Sequence, residues 1–558
     1  MGKIGILDRI LLLDYRFLLV LVTTGLLYFR PSLSRPACQA TGGARLLRQG
    51  YTISIAREKE WDWFRLGQSA VIGLLAWLAA GLLPLLIQSI PWPLIHDAPI
   101  MHYIAWRILH GAVPYRDVLD MNLPGVYLIH VLELKIFGMS DGGWRLFDFL
   151  WLAVTDCLLW QFCFPRGRWW ALVAVLLYSA FHVSSGAPGM GQRDYLEFTF
   201  LLGGLLLAVR AFENGLDRRR LFLAGLALGY AMSIKPLAAL LLVAVACMAA
   251  QQSGRDAKAR ATTAAVVLGG GLVFPAIFTV WLAAIGGLKP FLAAFLGVMP
   301  LYSKMHDRPF VQYVAEFWPL WLPCILSVPI SLMQRRPDAR HLALILGVVY
   351  GTLHYLLQGK GWLYQFYPLV GFTFALTAYS IGTASRSTSR NAFAATALTI
   401  FFIFAIGSWE GRLNPADALT RDTLDTIDSL QRDLGPRLGP GVTVQSFDTT
   451  GGCSHALMRM NTALPTPFLC DFLFYSDTDQ PYVKRIQAEF MADMQRHPPT
   501  YLVFYRWGWP SGQYERLARF PELQHWIHAN YRVEITRNKY VIYTIRAISA
   551  EDRLRIGR

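Results

Sequence analysis

The sequence predicts an all-α polytopic membrane protein followed by a C-terminal α/β domain, and three observations predict it. Of 558 residues, 54% are apolar and only 16% charged, a balance suited to lipid rather than water around much of the chain. Apolar windows of about 20 residues, the length that crosses a ~30 Å hydrocarbon layer, recur between residues 69 and 410. From about Gly411 onward that pattern stops, and β-rich runs alternate with amphipathic helical stretches.

The first 68 residues hold one apolar run, Phe17 to Phe29, which is short for a span and is bracketed by Lys3, Arg9, Arg16 and Arg30. A cleaved signal peptide fits the basic start. Crossing there, however, would export the basic segment Arg45 to Arg65, so residues 1–68 are expected to be a cytoplasmic or interfacial extension, with an overextended gene start as the alternative.

About eleven spans follow within 69–410: 69–91, 143–162, 169–185, 195–213, 221–234, 236–250, 262–286, 315–333, 341–357, 366–383 and 392–409. The two flanking the Lys235-Pro236 break are individually short, because proline ends a helix at the residue before it.

Lys and Arg outnumber Asp and Glu by 52 to 37, which raises nucleic acid as a partner. The basic residues instead form short clusters between apolar spans with no aromatic-interleaved face, which excludes that partner and orients the chain. The clusters Arg166 and Arg168, Arg210 with Arg218 to Arg220, Arg255 to Arg260, Arg335 to Arg340, and Arg386 with Arg390 fall on one side if the helix 123–138 lies at the surface without crossing. That side is cytoplasmic by the positive-inside rule. Segments 92–142, 186–194, 287–314 and 358–365, and the domain 411–558, then face outward.

In the domain 411–558, Val442 to Phe447, Tyr501 to Tyr505 and Tyr540 to Ile545 read as strands, and Val483 to Met494 and Tyr514 to Ala529 as helices. Cys453 and Cys470 either pair in an oxidising compartment or remain free thiols. No CxxC spacing supports a thiolate metal site, and His96, His102 and His110 lack the i, i+4 spacing of a helical zinc pair.

The chemistry concentrates in HDAPIMHYIAWRILHGAVPYRDVLDMNLPG, residues 96–125, which places Asp97, Asp117 and Asp120 directly after an apolar span. Carboxylates are costly in hydrocarbon and tolerated just outside it. Ile100, Ile104, Ile108 and Leu109 mark one face of an amphipathic helix over 99–111. Asp97 reads as a general base for a hydroxyl, or as the N-cap of that helix. Tyr103, Tyr115, Arg116, Asp117 and Asp120, with Tyr364 from another outward segment, are candidates for positioning donor or acceptor; the two later aspartates also suit an ordinary turn.

Lys360, flanked by glycines in QGKGWLYQFYP, is the first candidate for a phosphate, with Lys235 and Arg193 behind it. A snorkelling lysine at a helix end is the alternative for Lys360. Asp194 either joins Asp97 around a divalent cation, Mg or Mn, or caps a helix.

The order of apolar span, Asp97, the helix IAWRILHGAVPYRD and the proline-containing start NLPGVYLIH resembles the GT-C glycosyltransferases. Within them it is most similar to the dolichyl-phosphate-mannose protein mannosyltransferase group and the lipid A aminoarabinose transferases. The resemblance covers about 69–410 and implies a GT-C transmembrane domain with juxtamembrane helices at 99–111 and 123–138. It implies an extracytoplasmic C-terminal domain as well. The family's catalytic aspartate in the first external loop maps onto Asp97. Two departures stand out: His96-Asp97-Ala98 lacks the family's frequent Asp-Glu, and Asn122-Leu123-Pro124-Gly125 replaces its Lys-Pro-Pro.

The resemblance implies an inverting transfer in the bacterial inner membrane, from a polyprenyl-phosphate-linked sugar to a hydroxyl of a glycan, lipid or protein. Asp97 acts as base, with Lys360, Lys235 or Arg193 at the leaving phosphate. Nucleotide-sugar motifs are absent, in keeping with a lipid-linked donor. The rival reading is a transporter or flippase of a lipid-linked glycan. It predicts charges facing one another near mid-membrane and an internal repeat, and no repeat is visible.

Overall fold

The computed structural model describes residues 78–305, 309–332, 337–384, 419–509 and 512–546, with isolated positions at 73, 75, 76 and 399. The N-terminal extension, the expected boundary at 411 and, apart from Thr399, the expected span 392–409 lie outside the described residues.

Helices occupy every described apolar window. They are α1 (Leu78–Gln88), α2 (Ala98–Leu109), α3 (Pro124–Phe137), α4 (Asp141–Cys163), α5 (Arg168–Ser184), α6 (Arg193–Glu213), α7 (Arg218–Ile234), α8 (Ala238–Gln252), α9 (Ala257–Ala284), α10 (Leu288–Lys304), α11 (Phe310–Glu316), α12 (Trp318–Leu332), α13 (Ala339–Gln358) and α14 (Tyr367–Ala384). Among the described residues, four stretches are long and apolar enough to cross a membrane: 141–166, 193–213, 257–284 and 339–358. The expected eleven is therefore not reached on length alone. At 1.5 Å per residue α7 and α8 extend only about 25 and 22 Å, because Lys235-Pro236 divides them.

Local chemistry sets the helix ends. Ser140 Oγ accepts from Gly143 N at 3.0 Å and starts α4; Asp217, Asp256 and Asp338 cap α7, α9 and α13 in the same way. Each such cap contributes about 1 kcal/mol. Between α7 and α9 the packing depends on small residues: a Cβ on Gly225 would stand 2.0 Å from the Val267 carbonyl oxygen, and one on Gly229 2.2 Å from that of Gly271. In lipid, where apolar tails solvate helices as well as each other, such close backbone approach drives association. The central helix α6 is buried on nearly every face.

The connections gather at two ends of the bundle, in the grouping that charge patterning gave. At one end Arg340 donates to Glu213 at 2.6 Å and to the carbonyls of Gln161 and Phe162, while Arg166 and Tyr379 meet Asp338. At the other end, segments from 92–142, 186–194, 287–305 and 358–365 meet one another. The short helix α3 joins them; it runs about 21 Å, below the thickness of the hydrocarbon layer.

The C-terminal part is a small mixed sheet with helices. Its strands are β1 (Val444–Phe447), β2 (Tyr501–Tyr505), β3 (Tyr531–Thr536) and β4 (Tyr540–Ile545), in the order β1-β2-β4-β3. β1 and β2 are parallel, with Ser446 opposite Val503, and the other pairs are antiparallel. Phe447 and Phe504 stack at 3.9 Å in the core beneath the helix Pro481–Arg496. β3 was not expected, although Tyr531, Val533 and Ile535 alternate strictly with Arg532, Glu534 and Thr536; it is an edge strand with Arg532, Val533 and Glu534 exposed. Cys453 and Cys470 are both free thiols.

This part clasps the site end of the bundle. Leu119 N donates to Pro467 O at 2.7 Å, Leu464 N to the Tyr103 hydroxyl at 2.8 Å, and the His455 ring bonds Leu94 O at 2.6 Å while pairing with Asp141.

Candidate active site at the start of α2

Asp97 occupies the N-cap position of α2, yet its side chain makes no cap hydrogen bond. Pro99 in the first turn needs no N–H partner, so the helix starts without it. The Asp97 carboxylate faces His96 Nδ1 at 3.2 Å and Arg193 at 3.8 Å, with 18% of its side chain exposed. Burial alone would push its pKa up. His96, Arg193 and Gln192 outweigh burial and hold it at about 2, so it is ionised at neutral pH. His96 is a non-glycine residue at φ 66°, a left-handed conformation that costs on the order of 1–3 kcal/mol and occurs where surrounding structure enforces it. Burial lowers the His96 pKa, but the adjoining carboxylate overcomes it and the net shift is upward.

Arg193, at the start of α6, ties this pair to the α3 side: its guanidinium also donates to the Asn122 side-chain oxygen. Asn122 in turn donates to Asp120 Oδ2 at 2.7 Å, and the Tyr127 hydroxyl reaches the same oxygen at 2.5 Å. Tyr302 and Tyr364 stand beside Arg193 and Asp97. The Tyr364 hydroxyl is buried and has no hydrogen-bond partner among the described residues.

Deeper in the bundle, Lys235 Nζ donates to Asp194 Oδ1 at 2.8 Å and to Gln358 Oε1 at 2.5 Å. His354 Nε2 shares Asp194 Oδ1 at 2.6 Å, and the Tyr350 hydroxyl links His354 with Glu197. Pairing with an opposite charge is how a protein tolerates a buried charge such as this one.

The remaining expected residues have other surroundings. Asp117 accepts from Val113 N and Arg116, closing the turn, and the neighbouring Arg116 lowers its pKa ahead of the opposing effect of burial. Tyr115 donates to the Asn122 carbonyl at 2.7 Å, and Tyr103 accepts from the C-terminal part. Lys360, 3% exposed, donates to the carbonyls of Tyr302 and Met305, and its ammonium lies 4.3 Å from the Tyr302 ring centre.

The cation expectation joined Asp97 with Asp194. The cluster of metal-ligating side chains found among the described residues is instead Asp194, Glu197 and His354, without Asp97. Asp194 Oδ2 and Glu197 Oε2 accept no hydrogen bond there, which leaves two buried oxygens open to a cation. Against that, Asp194 Oδ1 already receives Lys235, His354 and Gln358, and the ammonium supplies the positive charge. The donor set suits an ion pair better than a divalent ion. The sequence reading missed Asn122, Tyr302, His354 and Glu197 as site residues; the i, i+3 pair Asp194/Glu197 and the i, i+4 pair His354/Gln358 were the available signals.

A family model described as dolichyl-phosphate-mannose-protein mannosyltransferase matches residues 123–282, a segment that includes Arg193, Asp194 and Lys235 and begins after Asp97. Among solved structures, ArnT from Cupriavidus metallidurans bound to undecaprenyl phosphate aligns with a TM-score of 0.50 at 13% identity, over 85% of this chain and 98% of that one. The archaeal oligosaccharyltransferase AglB from Archaeoglobus fulgidus aligns with a TM-score of 0.45 at 12% identity, over 79% and 70% of the two chains. A sequence search of curated proteins finds no match. The chain resembles the GT-C glycosyltransferases of the mannosyltransferase and aminoarabinose transferase group, in fold over most of its length and in sequence over residues 123–282.

Proposed function

We propose that the protein is a membrane glycosyltransferase that moves a sugar from a polyprenyl phosphate to an acceptor hydroxyl, with Asp97 as the base. The observation that carries this reading is an ionised aspartate, free of capping duty, facing Arg193 at 3.8 Å where an apolar bundle gives way to polar loops. The fold likeness to ArnT, solved with undecaprenyl phosphate, supports a lipid-phosphate donor.

In the proposed reaction the acceptor oxygen attacks the anomeric carbon from the face opposite the phosphate, so configuration inverts. The carbon–oxygen bond to the phosphate breaks, and the polyprenyl phosphate leaves with the electron pair. The acceptor proton passes to Asp97. A carboxylate held near pKa 2 is a weak base toward a free hydroxyl, so transfer completes late, once the attacking oxygen has become acidic through bond formation. Arg193 is aimed so that it can release Asn122 and meet the phosphate charge as it develops. Lys235 keeps Asp194 neutralised behind it. No step is routed through a metal ion.

In this reading the reaction lies on the extracytoplasmic face of a bacterial inner membrane, with 69–410 as the transferase domain and 411–558 outside; the positive-inside charge pattern supports the side, and the likeness to ArnT supports the membrane. The buried Lys235–Asp194–His354 group is the one feature that favours a transporter. The test is mass analysis of envelope glycans in a deletion strain, with and without the restored gene, alongside assay of purified protein in vesicles loaded with polyprenyl-phosphate sugars. Loss of one sugar modification and its return, with transfer in vitro, supports the reading. Movement of the lipid-linked sugar between leaflets without transfer overturns it.

A further inference from the structure

The helix α10 turns an apolar face outward. Leu292 and Leu296 are exposed, the latter at 69%, and Ala293 and Pro300 continue the same face. Exposed Lys289 and Lys304 stand at its two ends. The opposite face, Ala294, Val298 and Leu301, is buried. On that side α10 packs so tightly on the C-terminal part that a Cβ on Gly297 would meet the Tyr482 ring at 2.1 Å.

What covers the outer face follows from its neighbour. A short turn, Ile285 to Gly287, joins α10 to α9, one of the membrane-length helices, whose exposed large apolar residues are Leu268, Leu272, Ile277 and Val280. Exposed apolar residues thus recur on both sides of the turn, on a span and on α10, and those of α10 lie between two lysines, the pattern of a helix at the boundary of acyl chains and headgroups. The last turn of α10 carries Tyr302. Its ring lies beneath the Lys360 ammonium and packs against Trp362 and Trp509, and its hydroxyl stands beside Arg193.

We propose that α10 is an interfacial arm: its Leu292/Leu296 face rests in the lipid leaflet at the site end, and this seat holds Tyr302 against Arg193 at the side from which a lipid donor enters. The first half stands independently; the second rests on the proposed transferase reading.

The test places a benzophenone amino acid at Leu296, at Val280 as the span reference and at Asp479 as the water-side reference, in the full-length protein in phosphatidylethanolamine/phosphatidylglycerol vesicles. Phospholipid adducts at 296 and 280 and none at 479 are expected. No lipid adduct at 296 while 280 yields one, or an adduct to a second copy of the chain, overturns the interfacial seat. For the second half, Leu292→Ser with Leu296→Ser is expected to raise the donor KM several-fold with kcat retained; an unchanged KM in correctly inserted protein overturns it. A wild type that transfers no sugar would sink the transferase reading while leaving the adduct result intact.

Discussion

Arg193 holds the Asp97 carboxylate at 3.8 Å and, through the same guanidinium, the side-chain oxygen of Asn122. One cation therefore joins the first turn of α6, the loop before α2 and the loop before α3. A residue with two such duties adds to the hold of His96 on the Asp97 charge and ties the two loops together. Arg193→Lys keeps the charge but cannot span both partners with one planar fork. Transfer by Arg193→Lys should fall by at least about tenfold, with the loss in kcat/KM for donor. Wild-type kinetics in that variant would remove Arg193 from the site.

The His96–Asp97 pair predicts a pH response with a definite sign. Asp97, depressed to about 2, stays ionised through the physiological range and contributes stability that fades only as pH falls from the ordinary carboxylate range toward 2. His96 is raised, so its pairing contributes stability at acid pH that is lost as pH climbs through its folded pKa, above the usual 6.5. As His96 loses its proton, Asp97 becomes a stronger base, and transfer rates should rise over that interval. His96→Gln should flatten the rise; an unaltered profile in that variant would assign the titration elsewhere.

Lys360 is expected to matter for stability first. It is buried, and its ammonium is satisfied by the carbonyls of Tyr302 and Met305. Hydrogen bonds from a charged donor contribute about 1.5–3 kcal/mol, so Lys360→Ala should lower the unfolding midpoint in detergent by several degrees. A variant with unchanged midpoint but lost dependence on donor would return this lysine to phosphate binding.

Lys235 and Asp194 form a buried pair, and removing either partner alone leaves an uncompensated charge. Lys235→Met or Asp194→Asn singly should destabilise by about 3–5 kcal/mol, and the double variant by less than either. Additive losses in a double-mutant cycle would show that the two do not act as a pair.

How much of this was legible in the residues follows physical range. Helix positions were readable because apolar length is a local property, and α2 and α3 emerged within two residues of expectation because Pro99 and Pro124 mark their starts. The two-ended grouping of connections was readable from charge. The surroundings of Lys360 were not readable, because the carbonyls of residues 302 and 305 accept from it and backbone acceptors leave no trace in a side-chain pattern. His354 and Glu197 were hidden inside apolar runs, where a polar residue looks like an interruption until its partner across the bundle is known. The edge strand β3 was legible, since Tyr531, Val533 and Ile535 alternate with Arg532, Glu534 and Thr536, and it was overlooked.

If Asp97 takes the acceptor proton during transfer from a lipid phosphate, the initial rate of sugar transfer by Asp97→Asn in vesicles containing a polyprenyl-phosphate sugar reports it directly. A folded, inserted protein is expected, with a rate lower by about 10²- to 10⁴-fold and donor binding retained. A rate equal to that of the wild type would contradict it.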